Sequence, residues 1–565
     1  MHVEKYGIVY ILVFFSVLAL TGIFSSFSVL NLVGDETVLT AATLKMLAEK
    51  SLRPAYPTNY HMPFGVYIYL PFFIVVLAFL RFSGLFATFD ELEIFGILEY
   101  AKLLPVARFI SVVLGVASVY LVYRICRKLF DNVFIALLAA FLLATSVVFL
   151  QLAHFGKVWM PQIFVILLAF YFIAALYKKE QPNLKDYFWP AFWTGISFGT
   201  HFIGVLTYVP FLVVHYFKNR ERRFAEIFIK DKNLWFANGV IALLVALSFY
   251  LNPYGFINYA SWSSSSTANI ISQSVGAEVA KFNFWRGVSA YARVLFEYCP
   301  ALTLIFLASL IPLFWRKRDL FFIFASFILG YYFVIGPLIA SSARPVPFYI
   351  GPIIPFMAMI VAYGIYAFYQ SGFLSKKIKL AIIFSILIFS LYMPIMWDYA
   401  ILRPSSAVYA SQWVNRNVPP GSKIVNLGFV LPLNEDKESI NDIQKYAPAF
   451  FTKRKAYLLS VNEYDYPKPN YYVLVPSFYR DGVPAEVSNR QFDYVITSWY
   501  SGWYDSALEE VKSYGAQEKN LVAIFPANAS PDSFSADIES IRRPFFSLRK
   551  MTHIGPVIAI YKLGK

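Results

Sequence analysis

Long apolar runs without charges recur along this 565-residue chain and constrain its fold more than any other feature. A helix needs about 20 apolar residues to cross the hydrocarbon core of a bilayer. Hydrophobic residues make up 58% of the sequence and charged residues only 15%, a balance that a soluble globular protein does not show. The sequence therefore predicts a polytopic α-helical membrane protein. The clearest runs are residues 7–30, 234–251, 298–314, 319–337 and 348–369.

Short basic tracts separate these runs and contribute to the net charge of +15. A basic protein can bind nucleic acid, but Lys and Arg placed between apolar runs follow the positive-inside rule of membrane proteins. We interpret the tracts as cytoplasmic loops and expect no nucleic-acid partner. The tracts are residues 124–128, 178–185, 218–223, 316–318 and 376–379.

Cytoplasmic basic tracts fix a topology of about twelve transmembrane helices, because the chain must cross the bilayer between them. The first span, 7–30, leads outward and the span at 105–123 returns. If the apolar run at 64–80 also crossed the membrane, the basic tract at 124–128 would lie on the outer side. We therefore expect this run to lie in the outer interface. The other expected spans are 133–151, 161–177, two short helices within 189–217 that meet near His201, 234–251, 298–314, 319–337, 348–369 and 378–397.

Large loops and the polar C-terminal region are predicted on the outer side. The loops are 31–104 and 252–296, within a membrane domain that covers residues 1–400. Residues 401–565 are more polar and predict a soluble extracytoplasmic α/β domain. Its expected elements are a helix at 405–418 and strands within 423–430, 455–461, 470–475, 492–499, 521–525 and 556–563.

Two adjacent carboxylates, Asp35 and Glu36, follow the first apolar run directly. One interpretation is structural: Asp35 caps a helix that begins at Glu36, and both acids complement the helix dipole. The other is functional: a carboxylate at the bilayer edge can deprotonate an acceptor hydroxyl or position a metal. The two interpretations are compatible, and both predict a helix start at this point.

Five basic side chains occur at predicted outer ends of the spans, on the same side as Asp35. Ionisable groups at membrane depth are costly and usually mark a pathway or a site. Together they predict a pocket for an anionic headgroup, although interface snorkelling or helix capping accounts for any one of them. The residues are His61, His154, Lys157, His201 and Arg344.

Several longer motifs resemble the GT-C integral-membrane glycosyltransferases, and the glycosyltransferase 39 group above all. That group includes protein O-mannosyltransferases and aminoarabinose transferases for lipid A. The motifs are Gly34-Asp35-Glu36, the His-x-Pro at 61–63, "ARFISVVLGVASVYLVYRICRKLF" at 107–130, "GTHFIGVLTYVPFLVVH" at 199–215 and "SSARPVPFYIGPIIPFMAMIVAYGIY" at 341–366, with "WVNRNVPPGSKIV", "FDYVITSWY" and "GPVIAIYKL" in the tail.

The resemblance implies an inverting transfer of a sugar from a polyprenyl- or dolichyl-phosphate carrier to an acceptor hydroxyl. The acceptor is a protein, lipid or glycan on the outer face of the plasma membrane. Asp35 would activate the acceptor hydroxyl, and Glu36 would orient the acceptor or donor. The five basic residues would hold the carrier phosphate, which suits their charge and their hydrogen-bond donors.

Trp159 departs from the family pattern, because many relatives carry an aspartate near this place in the second outer loop. The missing carboxylate predicts that no divalent metal is obligatory, although one can take part. A transporter or flippase of lipid-linked saccharides is the main alternative function, but the sequence has no evident internal repeat. A non-catalytic assembly protein would not need ionisable groups at the bilayer edge.

Overall fold

The computed structural model is mostly helical, with one β-sheet near the C-terminus. It describes residues 2–25, 33, 35–54, 62–252, 284–339, 346–403, 405–479, 482–527, 529–530 and 533–564. His61, Arg344 and most of the predicted loop 252–296 lie outside these described residues.

The helices of the first 401 residues are numbered in chain order. They are α1 (His2–Leu20), α2 (Glu36–Ala48), α3 (Phe64–Phe82), α4 (Phe89–Leu98), α5 (Leu104–Phe130), α6 (Val133–Ala144), α7 (Val147–His154), α8 (Trp159–Lys178), α9 (Leu184–Thr200), α10 (Tyr208–Asn219), α11 (Phe224–Phe228), α12 (Lys232–Leu251), α13 (Phe284–Tyr298), α14 (Pro300–Arg316), α15 (Arg318–Ile339), α16 (Ile354–Gln370) and α17 (Lys376–Ile401). Short 3-10 helices at Tyr100–Leu103, Phe202–Thr207 and Pro347–Ile353 lead into α5, α10 and α16.

Seven helices in the described ranges are long and apolar enough to cross a membrane, or nine if each bent pair counts as one span. The bent pairs are α6 with α7, at 60°, and α13 with α14, at 112°. Helix α1 contributes a shorter apolar stretch, Tyr6–Leu20, and ends ten residues before the predicted end of the first span. The prediction of a polytopic helical membrane protein is confirmed.

The apolar run at 64–80 forms α3, whose first half alone is buried in the protein. Phe64 and Phe73 are buried, whereas Phe79 and Phe82 are 67% and 81% exposed. The helix is long and apolar enough to cross a membrane. Its placement in the outer interface therefore stays a prediction.

The predicted pair of short helices within 189–217 is confirmed, and the break falls at His201. Helix α9 ends at Thr200, and the 3-10 helix that precedes α10 begins at Phe202. A Cβ on Gly199 would lie 2.2 Å from Phe64 Cδ2, so glycine is needed for the close approach of α9 to α3. The break thus lies beside the N-terminus of α3.

The C-terminal residues form a five-stranded mixed sheet surrounded by short helices. The strands are β1 (Lys423–Asn426), β2 (Tyr472–Leu474), β3 (Tyr494–Trp499), β4 (Leu521–Phe525) and β5 (Val557–Lys562), in the order β2-β1-β3-β5-β4. Strand β1 is parallel to β2 and β3, whereas β5 is antiparallel to β3 and β4. The helices are α18 (Ser406–Asn417), α19 (Lys437–Tyr446), α20 (Lys453–Ser460), α21 (Ala485–Ser488), α22 (Tyr504–Ser513) and α23 (Pro544–Ser547).

One face of this sheet packs into the same apolar core as the membrane helices. Alternate residues of β1 and β3 point to opposite faces, as the pleat of a strand requires. Ile424 and Ile496 belong to the shared core, whereas Val425 and Val495 pack with Val511 of α22 in a second core. The sheet therefore rests on the helical part rather than standing apart from it.

Five of the six predicted strands are present, but the strand expected at 455–461 is wrong. Residues 455–460 belong to α20, which begins after Thr452. The Thr452 hydroxyl accepts a hydrogen bond from the Lys455 amide. A short apolar run does not distinguish strand from helix, and the N-cap decides for helix here.

His553 should make the stability of the C-terminal region depend on pH. Burial lowers the pKa of His553 from its usual value near 6.5 to about 4. Below pH 6.5 the unfolded chain therefore takes up a proton that the folded chain does not, so stability falls as the pH drops from 7 to 4. Thermal unfolding in detergent should lose less stability over this range in His553→Gln than in wild type. Equal losses in the two proteins would contradict this account.

Candidate active site

Asp35 occupies the N-cap position of α2 with an exposed side chain and an unusual backbone. Its φ and ψ are 62° and 0°, the left-handed region that Asp and Asn tolerate better than most residues. The side chain accepts no capping hydrogen bond from the helix. The structure thus confirms the helix start but not the predicted cap, and strained residues of this kind often occur at functional sites.

Glu36 is fully buried and forms a bidentate ion pair with Arg108 of α5. Arg108 Nε donates to Glu36 Oε1 at 2.7 Å, and Nη2 donates to Oε2 at 2.8 Å. Both side chains are 1% exposed. Arg108 Nη1 also donates to the carbonyl groups of Ile23 and Ser25, at 3.0 and 2.9 Å. The pair therefore joins the segment that follows α1, the start of α2 and α5 at one point.

The loop between α7 and α8 completes this arrangement through Gly156. Its amide donates to Glu36 Oε1 at 3.1 Å. A Cβ on Gly156 would lie 2.7 Å from Ala107 Cβ, so glycine permits the loop to reach the carboxylate. Asp35 is consequently one residue away from a carboxylate that Arg108 and this loop hold in place.

Lys157, the next residue of the loop, contacts the C-terminal region instead of open solvent. Its ammonium pairs with the carboxylate of Glu539 and lies 4.4 Å from the ring centroid of Phe348. Its backbone carbonyl accepts a hydrogen bond from the Tyr69 hydroxyl at 3.3 Å. The predicted donor-binding lysine is thus paired with a carboxylate in this structure.

Trp159 and His201 lie together, although 42 residues separate them in the sequence. Their rings are 4.7 Å apart between centroids, and Trp159 also contacts Phe348 and Tyr349 at 5.7 and 5.1 Å. The start of α8, the break after α9 and the 3-10 helix before α16 therefore meet at one aromatic cluster. His201 is half-buried there, and its Nδ1 accepts a hydrogen bond from the Ile203 amide at 3.4 Å.

The N-terminus of α3 joins the same place. A Cβ on Gly65 would lie 3.3 Å from Val158 Cγ2 and 3.8 Å from the carbonyl oxygen of Thr200. Three segments that the sequence analysis assigned to one pocket thus converge: the start of α3, the loop 155–158 and the break at His201. The predicted pocket residues His61 and Arg344 lie outside the part of the chain that the structure describes.

His154 is separated from this surface by burial. Its Nδ1 lies 2.9 Å from the carbonyl oxygen of Leu150, and its Nε2 lies 3.2 Å from that of Leu18 and 3.6 Å from Asp398 Oδ1. The indole of Trp397 is 3.3 Å from Nδ1. His154 therefore ties α7 to α1 and α17.

Two residues of this arrangement, Arg108 and Glu539, are missing from the sequence prediction. Arg108 is the only charged residue in the predicted span 105–123, and a charge inside a span generally has a partner, so a signal for it exists. Glu539 has no such signal, because 382 residues separate it from Lys157. Within the described ranges, no three His, Cys, Asp or Glu side chains are grouped to hold a metal ion.

Residues 99–250 match the family model described as dolichyl-phosphate-mannose-protein mannosyltransferase. The match confirms the resemblance to membrane glycosyltransferases that the sequence motifs indicate, and it includes Arg108, Lys157 and His201. No curated protein matches the chain.

Two groups of solved structures are similar to the chain at low identity. ArnT from Cupriavidus metallidurans, bound to undecaprenyl phosphate, is 12% identical over 97% of each chain, with a TM-score of 0.47. The oligosaccharyltransferase AglB from Archaeoglobus fulgidus, in complex with an inhibitory peptide and a dolichol-phosphate, is 13% identical over 88% of this chain and 70% of its own, with a TM-score of 0.44.

Removing one partner of the Glu36–Arg108 pair should destabilise the protein strongly. Glu36→Gln leaves a buried guanidinium without its counter-charge, which costs about 3–5 kcal/mol. We expect a large drop in the unfolding temperature in detergent and a partial recovery in Glu36→Gln/Arg108→Met, which removes both charges.

The matched control is Glu4→Gln, which removes the carboxylate that pairs with Arg127 at 2.8 Å. Both side chains of that pair are 29% exposed, so solvent compensates for the lost partner. Glu4→Gln should therefore lower the unfolding temperature much less. Equal effects of Glu36→Gln and Glu4→Gln would contradict the importance given to the buried pair.

Proposed function

We propose that this protein is an inverting glycosyltransferase that uses a polyprenyl- or dolichyl-phosphate-linked sugar and works at the outer face of the plasma membrane. The acceptor is a hydroxyl of a protein, lipid or glycan. The observation that carries the proposal is the position of Asp35: Arg108, within the segment that matches the family, fixes Glu36 and so presents the preceding carboxylate at an exposed helix start.

Asp35 would act as the base in this reaction. Its carboxylate would accept the proton of the acceptor hydroxyl while the hydroxyl oxygen attacks the anomeric carbon. The bond from that carbon to the phosphate oxygen would break, and the lipid phosphate would leave with the electron pair. Because phosphate is already a good leaving group, most of the rate gain must come from placing the acceptor in line and stabilising the departing charge.

Glu36 would support this reaction by position rather than by proton transfer. Both of its oxygens accept hydrogen bonds from Arg108, and Oε1 also accepts one from Gly156. A buried carboxylate held by these three hydrogen bonds is out of reach of an acceptor hydroxyl, but it is a rigid support for its neighbour. In this proposal Asp35 accepts the proton, and Glu36 holds Asp35 in position.

The carrier phosphate would bind where the start of α3, the loop 155–158 and the break at His201 converge. His201 offers an imidazole at a helix break, and the Lys157 ammonium lies in the adjacent loop. His61 and Arg344, which the resemblance also assigns to the phosphate, precede two of the segments that meet there. His154 is the least suited of the five, because it is buried between α1, α7 and α17.

Asp35→Asn should abolish most of the sugar transfer while leaving the protein folded. Asparagine keeps the size of the side chain and tolerates the left-handed backbone, but it is not a base. A general base contributes about 10²–10⁴-fold, so we expect a loss of this order in transfer from a synthetic polyprenyl-phosphate sugar by purified protein.

Asp90→Asn is the matched control, because Asp90 is an exposed aspartate in the first turn of α4, within the same predicted outer loop. It should keep wild-type transfer. Full activity of a folded Asp35→Asn would refute its role as base. Movement of the intact lipid-linked sugar across the bilayer without transfer would favour the transporter alternative.

Transfer should persist after removal of divalent metals. The proposal that no metal is obligatory rests on Trp159, which stands near the place where many members of the resembled family carry an aspartate. Purified protein treated with a chelator should retain its initial rate. Loss of activity that added manganese or magnesium restores would show that the protein requires a metal.

A further inference from the structure

A short segment of the C-terminal region, residues 537–548, contacts the membrane helices directly; we call it the contact segment. The Tyr298 hydroxyl of α13 donates to the carbonyl of Ile541 at 2.9 Å. The Tyr392 hydroxyl of α17 donates to the carbonyl of Phe545 at 3.3 Å, and their rings are 4.7 Å apart. These bonds and ring contacts hold the contact segment against two helices.

The local structure of the contact segment fixes the orientation of Glu539. Asp537 accepts hydrogen bonds from the Glu539 amide and the Ser540 hydroxyl, both at 2.9 Å, which fixes a tight turn. Ile538 and Ile541, on either side, are each 1% exposed in the core shared with the membrane helices. The Glu539 side chain therefore has a defined direction, towards the loop 155–158.

The ion pair that Glu539 forms with Lys157 is largely removed from solvent. The Lys157 side chain is 3% exposed and that of Glu539 is 15% exposed. A buried ammonium without a counter-charge is costly, so the loop is most stable where the pair can form. Because Glu539 is fixed by its own segment, the pair constrains where Lys157 can lie.

The position of Lys157 also affects Glu36, because the neighbouring residue of the loop contacts Glu36 directly. Lys157 follows Gly156, whose amide donates to Glu36 Oε1, and the Lys157 carbonyl accepts from Tyr69. Contacts therefore run without interruption from Glu539 through the loop to Glu36, the neighbour of Asp35. A shift of the loop would remove one of the hydrogen bonds that orient Glu36.

We propose that Glu539 is a positioning residue for the reaction: its pairing with Lys157 holds the loop 155–158 so that Gly156 and Glu36 keep Asp35 in its reactive position. This inference rests on the proposed function of Asp35. It gives the C-terminal region a role in catalysis that does not require contact with the substrate.

The kinetics of Glu539→Gln test this role. A small misplacement of a reacting group costs up to about 100-fold in rate, so kcat should fall roughly 10- to 100-fold. The KM for the polyprenyl-phosphate sugar should change much less than kcat, because Glu539 itself is not one of the proposed binding groups. Glu539→Asp, which keeps the charge at a shorter reach, should retain an intermediate kcat and thereby rescue part of the loss.

Glu297→Gln is the control for general loosening of the contact segment. Glu297 of α13 accepts a hydrogen bond from the Arg543 amide at 3.2 Å, so it holds the same segment without touching the loop 155–158. Its kcat should match wild type. The unfolding temperature of each variant in detergent shows that the proteins compared are folded.

Two results would overturn the inference. One is a wild-type kcat in both Glu539→Gln and Glu539→Asp. The other is a lower KM with unchanged kcat in Glu539→Gln, because Glu539 would then be competing with the donor phosphate for Lys157. Either result leaves the proposed function intact, since wild type would still transfer sugar and Asp35→Asn would not. A wild type without transfer would refute both proposals.

Discussion

The buried ion pair between Glu36 and Arg108 is the interaction on which the rest of the site depends. Two charges removed from water are stable only when their hydrogen bonds are nearly all satisfied. Here the carboxylate accepts from Arg108 and Gly156, and the guanidinium also donates to Ile23 and Ser25. Four chain segments must therefore be in place at once, which makes the site a product of the whole helical fold.

The proposed division of labour between the two adjacent acids rests on this pair. Glu36 is turned inward and bound, whereas Asp35 is exposed in a left-handed backbone at the start of α2. A chain that needs one reactive carboxylate at a fixed place can obtain it by burying its neighbour. The Lys157–Glu539 pair extends the same principle, since it connects the loop beside Glu36 to the C-terminal sheet region.

Features that depend on local sequence could be predicted, whereas contacts between distant segments could not. The apolar runs predict the membrane helices, the glycines around His201 predict the broken pair, and short apolar runs predict six strands, of which five are present. The strand expected at 455–461 failed because a short apolar run is ambiguous and the Thr452 cap selects a helix. The inward turn of Glu36 and its pairing with Arg108 depend on tertiary packing that neither residue signals alone, and the same holds for Lys157 and Glu539.

The most direct measurement is a structure of the purified protein with an unreactive polyprenyl-phosphonate sugar analogue and an acceptor. The account predicts an Asp35 carboxylate oxygen within about 3.2 Å of the acceptor hydroxyl, with Glu36 still paired with Arg108. An acceptor hydroxyl bound to another base, with Asp35 facing away from the anomeric carbon, would contradict it.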